Sequence, residues 1–304
     1  MKYLPVNTFE RDVFSSLESI HPKAARIIFD PDLSISDVKC LLNSPPRPIT
    51  SSINCPTYQV SKHLASILSP LRNNKYTVTN SCDFVKKVSV CNITPQETML
   101  SFDVVSLFAS IPTTLAFEVT KNKLQAYPTT SERTTMSFDS IMNFLEFALD
   151  NNYFVLDGTF YKQVFGCPMG SPMSAILANL VMAHSEERAL VATPQPPKWW
   201  YRYVDDSQVC IVREHLTEFR SHLSSINQHI KFTVEEEKDG SIAYLDTVTT
   251  RNPDGVVKTS VYRKITHTDK YLQFNSHHPS QNKRSVARTL VDRAKNIPST
   301  DADR

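Results

Sequence analysis

Two adjacent aspartates, Asp205 and Asp206, stand between two runs that favour β-strands. Trp199, Trp200, Tyr201, Tyr203 and Val204 lead in, and Val209, Cys210, Ile211 and Val212 lead out. Aromatic and β-branched residues on both sides of a short polar break predict a hairpin with both carboxylates at its tip. There the two charges lie close enough to repel, a cost relieved when a cation sits between them. Hard divalent cations take oxygen ligands, and Mg²⁺ binds through one or two carboxylates plus substrate phosphates. The pattern points to metal-dependent phosphoryl or nucleotidyl transfer. A solvated Asp-Asp turn is the plain alternative, and the pair alone does not choose between them.

Two other stretches bear on that choice. Met99 to Val105 reads as a buried strand carrying a single acid, Asp103. Such an acid is expensive to bury without a partner. It is either a cap or ion-pair residue, or a third ligand on a neighbouring strand. Ser106 to Pro112 reads as a loop and Thr113 to Ala126 as a helix. Gly166-Cys167-Pro168-Met169-Gly170-Ser171-Pro172-Met173-Ser174 holds two of only five glycines in the chain. Ser171 with Pro172 behind it predicts a capped helix running to about Leu190. A glycine loop at a helix start offers N–H groups to an anion, or is an ordinary junction.

The remaining elements follow from periodicity and turn residues. Phe9 to Ile20 fits an amphipathic helix, and Arg47 to Ser52 a short strand. Helices are expected from Pro56, over Asp83 to Val90, and over Ser137 to Asp150 with Phe138, Ile141, Phe144, Leu145, Ala148 and Leu149 on one face. Asp157-Gly158 joins two strands in a hairpin. Leu216, Phe219, Leu223, Ile226 and Ile230 mark another helix. Phe232 to Glu236, Ile242 to Thr250 and Val256 to Tyr262 read as three antiparallel strands, joined at Asp239-Gly240 and Pro253-Asp254-Gly255. Glu235 to Glu237 reads as a solvated strand end. Ser280 to Lys295 reads as a basic helix with Val286, Leu290, Val291 and Ala294 inward.

A chain of 304 residues accommodates two or three subdomains around a sizeable core. Its net charge of +2 is uninformative, but the distribution is not. From Val256 to Arg304 there are 10 Lys/Arg against 4 Asp/Glu, whereas the rest of the chain is net acidic. A basic C-terminal segment beside an acidic body suits a polyanion clamp next to a metal site. The six cysteines have no Cys-x-x-Cys spacing, so buried free thiols in a reducing, intracellular compartment are expected. Glu10, Arg11, Asp12 and Glu18 occupy the place of a leader's apolar core, and the Ala175 to Ala183 run is too short to span a bilayer.

The order of these pieces resembles the palm of a template-dependent polymerase, specifically a reverse transcriptase. Ser101 to Phe108 is similar to the first aspartate motif, Gly166 to Ser174 to the template and nucleotide loop, and Tyr203-Val204-Asp205-Asp206 to the Tyr-x-Asp-Asp box. Arg47-Pro48-Ile49, Pro56-Thr57-Tyr58, Ile67 to Leu71, Asn80 to Val85, and Tyr262 to Leu272 followed by Ser276-His277-His278-Pro279 resemble the Penelope-like retroelements. The family's Pro-Lys-x-His-Lys tract is missing, since Phe29 to Pro46 offers only Lys39. The resemblance implies an α+β right-hand fold of fingers, palm and thumb, with an antiparallel palm sheet packed on helices. Residues 1–98 would hold the N-terminal segment and part of the fingers, 99–255 the palm with fingers elements near 127–165, and 256–304 a basic thumb-proximal segment.

The resemblance also implies roles. Asp103, Asp205 and Asp206, with the Val104 carbonyl, would hold two Mg²⁺ ions, Mn²⁺ being able to stand in. Phe108 would press on the sugar and favour deoxynucleotides. Arg47 would meet the triphosphate. Met169, Gly170 and Ser171 would line the nucleotide site. Lys238 would protonate pyrophosphate or else form a surface ion pair. Tyr203, Lys258, Arg263, Lys264, His267, Lys283, Arg284 and Arg288 would face nucleic acid. The implied activity is RNA-directed DNA synthesis from a retrotransposon, with an RNA template, a DNA primer and dNTPs as partners and no membrane. The alternative is a decayed or truncated remnant that only binds nucleic acid.

Overall fold

The computed structural model describes residues 3–5, 52, 55–72, 74–127, 133–156, 159–264, 266, 268 and 271–300. The expected helix over Phe9 to Ile20, the strand from Arg47, the Asp157-Gly158 turn, Arg47 and His267 lie outside the described residues. In chain order the elements are β1 (Tyr3–Pro5), α1 (Pro56–Leu68), α2 (Ser81–Val88), β2 (Glu97–Val104), α3 (Leu107–Ser110), α4 (Thr113–Gln125), α5 (Phe138–Asp150), β3 (Tyr153–Leu156) and β4 (Thr159–Gln163). There follow α6 (Ser174–Ala192), β5 (Trp199–Tyr203), β6 (Asp206–Val212), α7 (Leu216–Ile226), β7 (Phe232–Glu236), β8 (Ser241–Tyr244), β9 (Thr247–Arg251), β10 (Val257–Val261) and α8 (Ser280–Asn296). They form two compact units, neither continuous in sequence. One holds residues 1–73, 105–187 and 227–230, and the other residues 74–104, 188–226 and 231–304.

The first unit is mainly helical. α1 packs on α5 and α4 on α5, burying Leu64, Leu68, Val119, Ile141 and Leu145. Ser137 caps α5 as its sequence predicts, its side chain accepting from the Ser140 amide. Phe144 departs from the expected stripe and is exposed, because the apolar arc of α5 is wider than the face its neighbours cover. The sheet of this unit runs β1-β4-β3, all antiparallel.

The second unit is built on a four-stranded antiparallel sheet, β5-β6-β2-β7. Side chains alternate between its faces. Leu100, Phe102, Trp200, Val209 and Ile211 point to one face, where Ala189, Leu216, Phe219 and Leu223 from α6 and α7 cover them. Met99, Trp199 and Cys210 point to the other, packing on Phe84 and Val88 of α2 and on Ile242, Tyr244 and Val257 of a small second sheet, β10-β9-β8.

Four expectations for this unit are corrected. Residues 242–250 are not one strand but the hairpin β8–β9, turning at Leu245 and Asp246; Leu245 adopts φ +54, a conformation its residue type does not announce. β7 leaves its successors and pairs with β2. Glu237 is not solvated: its side chain is buried against the Arg251 guanidinium at 2.5 Å. In α8, Val291 is half exposed rather than inward.

Gly255, at φ +82 in the turn before β10, lies so close to the backbone of residue 93 that an added Cβ would meet the Ile93 carbonyl oxygen at 2.8 Å. Its N–H and carbonyl are both used, the carbonyl by the Ile93 amide at 2.8 Å. Gly255→Ala is therefore expected to destabilise the protein by about 2 kcal/mol, combining left-handed strain with the backbone clash. Urea unfolding followed by circular dichroism checks this as a lower midpoint at unchanged slope.

Candidate active site

The candidate carboxylates come together on the second unit's sheet. In the β2–β6 ladder Asp103 stands directly opposite Asp206, and in the β5–β6 ladder Asp206 is opposite Tyr203. A two-residue turn, Val204 and Asp205, joins β5 to β6. Asp103 and Tyr203 are exposed, and Asp205 and Asp206 are half-buried. Asp103 and Asp206 share the face that carries Met99, Trp199 and Cys210 further along.

The tip is held against its own strain. Val204 sits at φ +56, where a β-branched side chain costs on the order of 1–3 kcal/mol. Two hydrogen bonds secure the turn. The completely buried Arg202 donates from Nη1 to the Val204 carbonyl at 3.0 Å, and the Val104 amide donates to the Asp205 carbonyl at 3.2 Å. Arg202 is in turn gripped by the 76–78 segment, its amide donating to Tyr76 O and its carbonyl accepting from Val78 N. An arginine inside an aromatic strand was the one sequence signal of this role.

Electrostatics mark the same spot. Partial burial first, then the charges of Asp205 and Asp103, a hydrogen bond with Asp103, and the charge of Glu235 push the Asp206 carboxyl up to about 6. Glu235 belongs here because Ser101, its partner on β2, shares the face of Asp103. Among the described residues no three His, Cys, Asp or Glu side chains by themselves enclose a metal-sized site. The donor set still suits a hard divalent ion: carboxylates in mutual contact, destabilised by their own charge, with room for phosphate oxygens.

The other candidates separate into groups. Lys238 follows β7 at the end where Glu237 N bonds Met99 O, whereas Asp103 pairs with Thr233. Five residues of strand separate Lys238 from Thr233, roughly 17 Å, so it is not brought to the carboxylates. Phe108, Met169, Gly170 and Ser171 belong to the first unit. There the Cys167 amide donates to the Phe108 carbonyl at 2.7 Å, and Gly166 lies directly on the Ala109 backbone. Ser52 Oγ donates to the Gly170 carbonyl. The helix after this loop starts at Ser174, not at Pro172. Ser171 and Met173 form turns instead, and Ser174 Oγ donates back to the Pro168 carbonyl. Ser106 to Pro112 likewise contains the short α3 rather than only loop.

Of the basic residues, Lys258 is half-buried on β10, and Arg284 and Arg288 are exposed on α8. Arg263 and Lys264 line a cavity of about 630 Å³ together with Tyr262, Tyr271 and Arg293. Lys283 is occupied locally, its Nζ donating to the Phe274 and Ser276 carbonyls.

The sequence from 43 to 239 matches the family model of the reverse transcriptase (RNA-dependent DNA polymerase), well over half the chain. The chain belongs to the reverse transcriptase family. A second model, the animal helix-turn-helix domain, matches residues 270–304, the stretch that holds α8. No curated protein matches the sequence. The right-hand polymerase fold is shared with telomerase from Candida albicans (TM-score 0.52, 14% identity, 76% of this chain and 41% of that one). It is shared with telomerase from Candida tropicalis (TM-score 0.52, 11% identity, 94% and 51%). The BmCPV RNA-dependent RNA polymerase aligns as well (TM-score 0.50, 12% identity, 84% and 24%). This reverse transcriptase family chain therefore spans about half the length of these structures or less. Among its described residues no helix is long and apolar enough to cross a membrane.

The raised Asp206 carboxyl has a consequence for stability. Between an unfolded value near 3.8 and a folded value of about 6, the native state holds the extra proton, so stability falls as pH rises through that window. Above it the full cost of the charge is present. Asp206→Asn is expected to be more stable than wild type at pH 7 without divalent ions, by about 1 kcal/mol because half the side chain remains wet. The gain should vanish near pH 4. Calorimetry across pH checks this, and added Mg²⁺ should raise the wild-type midpoint while leaving the variant's unchanged.

Proposed function

We propose that this chain is the polymerase part of a Penelope-like retrotransposon reverse transcriptase, adding dNTPs to a DNA primer on an RNA template. The observation that carries this reading is the register that sets Asp103 opposite Asp206, with Asp205 on the adjoining turn. The motifs at 47–71, 80–85 and 262–279 support the Penelope-like assignment, and the family match over 43–239 supports the reaction class.

Asp103, Asp205 and Asp206 are the residues that would hold two Mg²⁺ ions, with the Val104 carbonyl as a further ligand. Such ions supply a lowered pKa for the primer 3′-hydroxyl and charge neutralisation on the triphosphate. The chain's own contribution is a fixed cluster of negative oxygens on a rigid sheet, since positioning and electrostatics carry most of phosphoryl transfer. By the family resemblance Phe108 would close the space that a ribose 2′-hydroxyl needs, and Met169, Gly170 and Ser171 would line the nucleotide site. The same resemblance assigns the triphosphate to Arg47, which lies outside the described residues. Tyr203 and the basic residues of 258–288 face the nucleic-acid backbone, a contact that weakens steeply with salt.

Primer extension on an RNA template with Mg²⁺ tests the reading. Asp205→Asn should lower the rate by about 10³-fold, the scale expected when transition-state charge loses its stabilising group. Salt-sensitive duplex binding without extension by the wild type would instead identify a binding-only remnant. The sugar role of Phe108 is tested separately. Phe108→Ala should reduce the preference for dNTP over rNTP by about tenfold or more, measured as the ratio of kcat/KM values.

A further inference from the structure

Tyr244 ends β8 and is buried, yet its hydroxyl reaches back into the carboxylate hairpin. It lies 3.0 Å from the carbonyl oxygen of Tyr201 and 3.2 Å from that of Asp206. One acceptor is on β5 and the other on β6, so a single side chain spans both strands of the hairpin just below its tip. Its ring is held edge-on by Phe84, with centroids 4.7 Å apart. The backbone around it is equally constrained: the Tyr244 carbonyl accepts from Thr247 Oγ1, and Leu245 beyond it adopts φ +54.

The hairpin needs such a restraint. Its tip carries mutually repelling carboxylates, its turn is strained at Val204, and the acids are exposed or only half-buried. β5 is the edge strand of the four-stranded sheet, and a strained turn at a sheet edge is where local opening starts. The Asp206 carbonyl is one backbone bond from the Cα that aims the Asp206 side chain at Asp103. Displacement of that carbonyl therefore displaces the carboxylate.

We propose that Tyr244 is a positioning residue: its hydroxyl clamps β5 to β6 and fixes the direction of the Asp206 carboxylate. The role rests on the polymerase reading for its catalytic consequence, but the clamp itself can be read without catalysis. A second bond between the same two layers serves as the comparison. Gln208 Nε2 donates to Thr249 Oγ1 at 3.0 Å, on the same hairpin but further from the tip.

Three proteins are compared: wild type, Tyr244→Phe, which keeps the ring and its packing, and Thr249→Val, which breaks the other interlayer bond. Tyr244→Phe should lower kcat for primer extension by about tenfold while leaving KM for dNTP within about twofold, because aim is lost and binding is not. The Mg²⁺ concentration for half-maximal rate should rise several-fold. Amide hydrogen exchange at Tyr203 and Asp206 should accelerate by about tenfold. Thr249→Val should lower thermal stability without these changes. Wild-type-like kinetics in Tyr244→Phe, or equal losses in both variants, would overturn the clamp. Should the wild type itself not extend primers, the polymerase reading fails instead, and exchange decides the clamp alone. Acceleration confined to Tyr244→Phe upholds it, and unchanged protection at Tyr203 and Asp206 refutes it.

Discussion

The pairing of β2 with β6 is the contact on which everything else rests. Its antiparallel register sets Leu100 opposite Val209, Phe102 opposite Ser207 and Asp103 opposite Asp206. Because side chains alternate, a slip of one residue would carry the acids into the helix-covered core and expel the aromatic residues. The apolar load of Leu100, Phe102, Val209 and Ile211 against α6 and α7 therefore locks the register that brings the carboxylates together. Hydrophobic burial on one face fixes charge placement on the other.

The second face is treated unequally along its length. Near Met99, Trp199 and Cys210 it is sealed by α2 and the small sheet. Near Asp103 and Asp206 solvent reaches the side chains, which are crowded enough together to welcome a cation. The cost appears as the raised Asp206 carboxyl and as the left-handed Val204. Both are sustained by rigid surroundings, chiefly buried Arg202 and the amide of Val104. Local disfavour concentrated at one point of an otherwise consistent sheet is the usual signature of a functional site.

Elements whose ends carry their own chemistry were legible in the sequence. Ser137 caps α5, Asp239-Gly240 turns between β7 and β8, and the alternating run around Asp205 forms the hairpin. Elements decided by distant partners were not. The Leu245–Asp246 turn has no glycine or asparagine to announce it. Glu237 reads as solvent-facing until Arg251, from another strand, neutralises it. Phe144 and Val291 satisfy a helical stripe, yet both stay about half exposed. Lys238 lies close to the palm acids in order of elements but far from them along β7.

Local pattern alone determined that Asp103 lies on a strand, that Asp205 and Asp206 lie at a hairpin tip, and that basic residues gather on the last helix. Periodicity and turn chemistry depend on neighbours within a few positions, so one sequence suffices to read them. Only the tertiary structure decided that Asp103 and Asp206 face each other, that Glu235 joins them, and that Tyr244 reaches the hairpin from another sheet. Those facts depend on which strands pair and in what register, and that choice is made by the summed burial of side chains remote in the chain.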